Sequence, residues 1–161
     1  MKSDEALAIS KIQKIRRLEA KRWLERVYYQ TLSVEADARA LALFEERVNN
    51  AVGKLENDGA SLDRSQSSKR REAALVDYAQ KNQELEEETR KLEKLKNETR
   101  LVIWKLGDER LEKIAKLRYI DCLRWKDVEK IAAYSHPHMM RIQNDILNKV
   151  AGILEKEGAR R

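Results

Sequence analysis

The chain has 161 residues, with 34 Lys and Arg against 28 Asp and Glu, a formal charge of +6 and 39% charged side chains. A mean hydropathy of -0.76, one proline and five glycines exclude a sheet-rich core and a membrane span, which needs roughly 18 consecutive apolar residues. The basic excess admits nucleic acid as a partner without demanding it. The single cysteine, Cys122, excludes an internal disulfide, and residues 1–10 lack an apolar secretory run, so a reducing, cytoplasmic location is expected.

In chain order, Leu7, Ile12, Ile15, Leu18, Trp23, Leu24, Val27 and Tyr28 recur mostly three to five residues apart, with Lys11, Lys14, Arg16, Arg17, Lys21 and Arg22 between them. This spacing predicts an amphipathic helix with a basic face. Ser3 suits its cap, and Asp4 and Glu5 its first turn. The period loosens over Gln30 to Ser33 and resumes at Leu41, Phe44, Val48, Val52 and Leu55. Two helices, the second starting at Ser33, and one kinked helix both satisfy residues 1–56.

Asn57, Asp58 and Gly59, followed by a serine-rich run to Ser68, predict a linker over 57–68. Beyond it, Tyr78, Leu85, Leu92, Thr99 and Leu106 fall at heptad intervals, Leu95 and Val102 take the alternate positions, and Lys81 and Glu88 interrupt them. That is coiled-coil spacing over 69–106. So polar a helix requires a partner: the N-terminal helices folded back, or another copy in a homodimer or higher oligomer. Gly107 suits a helix C-cap and Asp108 an N-cap, which places a domain boundary there.

Over 107–161, Leu111, Ile114, Leu117, Arg118 and Tyr119 predict a short helix and Asp121 to Arg124 a turn. Trp125, Val128, Ile131 and Ala132 predict a second helix, and Tyr134 with Ser135 the next turn. A third helix follows over His136 to Leu147, with Met139, Ile142 and Ile146 inward. Ser135 suits its N-cap and Pro137 its first turn. The fold class expected is all-α: a long antiparallel or coiled-coil helical arm followed by a C-terminal trihelical helix-turn-helix domain.

The run LRYIDCLRWKDVEKIAAYSHPHMMRI, with Leu117, Arg118, Tyr119, Trp125, Val128, Tyr134, Ser135, Arg141 and Ile142 at the matching positions, resembles the domain of small phage-encoded regulators that is similar to region 4 of bacterial sigma factors. The resemblance is strong over Leu111 to Val150, and the charged helical N-terminal half is also similar. It implies a DNA-binding transcriptional regulator of phage or prophage origin, with double-stranded DNA and RNA polymerase as partners. Three features depart from the pattern. Cys122 replaces a turn glycine, at a cost of roughly 1 kcal/mol if left-handed. Glu129 replaces a small residue, and the turn Ala133 to Ser135 has no glycine.

In a helix-turn-helix the N-terminal outward side chains of the third helix meet base edges in the major groove. Spacing selects His136, Pro137, His138, Met140, Arg141 and Asn144. Arg141 suits guanine, Asn144 adenine and Met140 a thymine methyl, while Lys126, Lys130 and Lys149 suit phosphates. No metal site is expected, because His136 and His138 point about 200° apart and no second cysteine exists. No cofactor is expected. The Glu84 to Glu88 run reads as solvated surface, no catalytic motif occurs, and an enzyme is not expected. Two other functions fit this architecture: a small-terminase-like subunit that recognises packaging DNA, and a helical module that binds a host protein.

Overall fold

The computed structural model describes residues 2–57 and 64–158, which form five helices and, among the described residues, no strand. They are α1 (Lys2–Asn57), α2 (Arg64–Trp104), α3 (Glu109–Tyr119), α4 (Trp125–Ala132) and α5 (His136–Gly158). The protein is all-α. No described helix is long and apolar enough to cross a membrane.

Helix α1 runs through Gln30 to Ser33 without a break, so one helix replaces the alternative of two. These residues include no proline or glycine, and loss of apolar periodicity alone does not stop a helix. Helix α2 starts at Arg64, within the expected linker, whose serines 65, 67 and 68 are helical. Residues 58–63, the rest of that linker, lie outside the described residues, as do the side chains of Ser3, Asp4, Val52 and Leu55.

The chain divides into two compact units. The first, Met1–Tyr29 with Glu93–Arg161, holds a continuous core of Ala20 and Leu24 from α1, Val102 and Ile103 from α2, Leu106, and inward side chains of α3, α4 and α5. The expected boundary at Gly107 therefore separates helices but not cores. The reason is the short α4, eight residues long, which is too small to cover α3 and α5 by itself. The ends of α1 and α2 complete the layer. Arg16 pairs with Glu155 of α5, and Arg26 stands 3.6 Å from Glu98 of α2. Leu7, Ile12, Ile15 and Leu18 remain 48–58% exposed, so the first turns of the expected apolar face are left uncovered.

In the second unit, Gln30–Leu92, α1 and α2 run antiparallel. Gln30 donates to both the backbone carbonyl and the carboxylate of Glu88, at 3.3 and 2.7 Å, and farther along α1 the Lys81 ammonium lies 5.9 Å from the Phe44 ring. In each unit the heptad seam of α2 faces α1, the fold-back arrangement. Leu92 and Thr99 are buried, and Tyr78 and Leu85 half-buried.

The α2 to α3 junction follows the two residues expected to form it. Gly107 adopts φ 66, and the Asp108 carboxylate accepts from the amides of Arg110 and Leu111 at 2.9 and 3.3 Å. Helix α5 continues well past Leu147, because Val150 and Ala151 keep the apolar period and are buried in the first unit.

Candidate nucleic-acid interface

The side chains that could meet DNA sit on α4, the turn after it and the start of α5, so their placement depends on how that turn is held. Helix α4 is fixed at both ends. At its start, Arg118 of α3 donates to the Leu123 carbonyl at 2.8 Å, and its guanidinium lies 5.5 Å from the centre of the Trp125 ring. Trp125 meets Tyr119 edge-on at 6.2 Å. Tyr119 is buried, and that burial pushes its hydroxyl above the usual phenol range, with Arg118 pulling the other way. Both aromatics belong to the packing, as their helical spacing predicts.

At its other end, Ala133 closes α4 in the left-handed conformation, φ 54 and ψ 41, and the Tyr134 amide donates to the Glu129 carbonyl at 3.1 Å. Cys122, in the turn between α3 and α4, has φ 58. Both glycine-free turns thus adopt the geometry that glycine supplies at least cost. In its turn, Ser135 offers its carbonyl to the Met139 amide at 2.9 Å, opening the hydrogen-bond ladder of α5.

Helix α5 presents the face predicted by spacing. Met139, Ile142 and Ile146 are 0–2% exposed, while His136, Pro137, Met140, Arg141 and Asn144 are exposed. Arg141, Lys126 and Lys130 form no ion pair with another described residue, so their charges are available to an outside anion. Lys126 and Lys130 stand one turn apart on α4 and share a face.

Three of the predicted residues make contacts that helical spacing does not show. His138 is half-buried and packs edge-on against Tyr134 at 4.6 Å, so one side of its ring belongs to the turn. Lys149 donates to the Leu106 carbonyl at 3.2 Å, satisfying an end carbonyl beyond α2. It also lies thirteen positions along α5 from His136, about 20 Å at helical rise, and is withdrawn from the phosphate-contacting set. His136 is exposed but tied, its Nδ1 being 2.6 Å from the Glu129 carboxylate. Glu129, noted in the sequence only as a departure, is thus part of the site. Helical spacing could not have shown it, because Glu129 belongs to α4 and His136 to α5, and the left-handed Ala133 between them brings the two together.

Ile131, read as an apolar position of α4, is 60% exposed. The single buried position of that helix is Val128, and Ile131, three positions on and about 60° around the helix, is left uncovered by the packing that buries Val128. Among the described residues, no group of three His, Cys, Asp or Glu could hold a metal ion. No family model, curated protein or solved structure matches the chain.

Proposed function

We propose that the chain is a sequence-specific DNA-binding transcriptional regulator of the phage-encoded, region-4-like kind, with α4 as the support helix and α5 as the helix that enters the major groove. The observation that carries this reading is the division of α5 into a buried Met139, Ile142 and Ile146 face and an exposed His136, Met140, Arg141 and Asn144 face. Packing consumes the first set and leaves the second, which has the hydrogen-bonding and apolar groups that base edges require. Lys126 and Lys130 supply phosphate contacts, which set register and salt dependence but carry no sequence information. RNA polymerase and further copies of the chain are the protein partners proposed for the helical arm.

Fluorescence anisotropy of the full chain on duplexes selected from a randomised library tests the reading. Arg141→Ala is expected to cost roughly 1–3 kcal/mol on the selected duplex, about 5- to 150-fold in Kd, with little change on unrelated duplexes. Lys126→Ala and Lys130→Ala should weaken all duplexes alike and each lower the salt slope by about 1. Lys149→Ala should change neither. Equal, weak binding by wild type and Arg141→Ala would exclude specific readout.

A further inference from the structure

The contact between Glu129 and His136 constrains more than the position of α5. Its two partners differ in exposure: the Glu129 side chain is 18% exposed and that of His136 is 69% exposed. Glu129 is also held through its backbone, since its carbonyl accepts from Tyr134. Its carboxylate meets the first residue of α5, where unpaired amides give the helix end a partial positive charge that favours an anion. The carboxylate is therefore the fixed member of the pair, and the imidazole the member that reaches outward.

A carboxylate offers only lone pairs. The imidazole nitrogen 2.6 Å from it, Nδ1, must carry a hydrogen and donate it. In the neutral ring the other nitrogen, Nε2, then has a lone pair and no hydrogen. Carboxylates fix the tautomer of metal-binding histidines through the same kind of contact.

We infer that Glu129 is a positioning residue that holds His136 in the Nδ1–H tautomer, so that His136 presents an acceptor to the major groove and selects a base bearing an amino group there. Only cytosine N4 and adenine N6 offer such a donor in that groove, whereas guanine O6 and N7 and thymine O4 are acceptors. This assignment rests on the DNA-binding reading of α5 and adds, to the guanine suited to Arg141 and the adenine suited to Asn144, a further position that admits cytosine.

The experiment has a spectroscopic arm and a DNA arm, both on the full chain at pH 8, above the ordinary range of imidazole titration. Nitrogen-15 NMR is expected to find His136 in the Nδ1–H form in wild type, and in the Nε2–H form favoured by free imidazole in Glu129→Ala. Selection from a randomised duplex library is expected to give one position restricted to cytosine or adenine. That preference should fall by about tenfold in both His136→Ala and Glu129→Ala. Glu129→Gln, which keeps an oxygen acceptor, should retain most of it. His136→Ala alters an exposed side chain and keeps the test open if Glu129→Ala does not fold. An Nε2–H signal in wild type, a selected sequence indifferent to His136→Ala, or a His136-dependent position restricted to guanine or thymine overturns the assignment and leaves DNA binding standing. Failure of any sequence to enrich overturns the assignment together with the DNA-binding reading.

Discussion

The two units draw on the same two long helices, yet they differ in how completely they bury them. In the first, Leu24 and Ile103 are fully buried because α3, α4 and α5 add a further layer. In the second, the buried side chains among the described residues are Leu41 and Leu92, and Phe44 and Leu85 are half-buried. Leu43, Leu75 and Val76 of that unit are 56–68% exposed. A helix with one neighbour can shelter only the stripe that faces it, whatever its sequence. The difference shows that a heptad seam gives pairing, whereas a closed core requires a third direction of contact.

Truncation of the core tests the contrast most severely. Ile103→Ala or Ile142→Ala, in the first unit, should cost about 2–5 kcal/mol. Phe44→Ala, in the second, should cost about 1–2 kcal/mol, because less area leaves water on folding. Denaturant unfolding with amide hydrogen exchange would measure both, and equal losses would erase the distinction.

An effect of intermediate size concerns alkaline pH. Burial raises the Tyr119 hydroxyl in the folded state, so its contribution is intact below the unfolded pKa near 10 and is lost as pH rises from there toward the folded value. One such group changes stability by at most ~1.4 kcal/mol per pH unit. Hydrogen exchange at the first unit should show that alkaline loss, and Tyr119→Phe should flatten it. The smallest expected effect comes from the left-handed turns. Ala133→Gly and Cys122→Gly should each stabilise the first unit slightly, by up to about 1 kcal/mol, read as a small rise in its melting temperature. A drop in either would mean that the lost side chain contributes more than the relieved backbone.

How far the sequence could be read varied with whether the cause was local. The cap at Asp108, the left-handed Gly107 and the inward Met139, Ile142 and Ile146 depend on a few neighbouring residues, and their chemistry is visible in the string. The end of α5 was not legible in this way. Val150 and Ala151 keep the helical spacing of Ile146 and Leu147, but the core that buries them includes Ala20 and Leu24, which lie far away in the chain. Lys149 looked free for phosphate because its acceptor, the Leu106 carbonyl, is 43 residues away. The candidate face of α5 was legible in its exposure pattern, but the hold of Glu129 on His136 and the packing of His138 on Tyr134 depend on how the turn closes.

The pairing of Arg16 with Glu155 spans 139 residues, and this separation has a consequence during synthesis. While the ribosome is still making α2, the Leu24 side of α1 has none of its α5 neighbours to shelter it. The first unit can close only after Glu155 has left the exit tunnel, so long-range contacts, slow to form, govern its assembly. A nascent chain stalled before α5 should therefore be readily cleaved by proteases and bound by chaperones along α1, and it should lose both traits once α5 emerges.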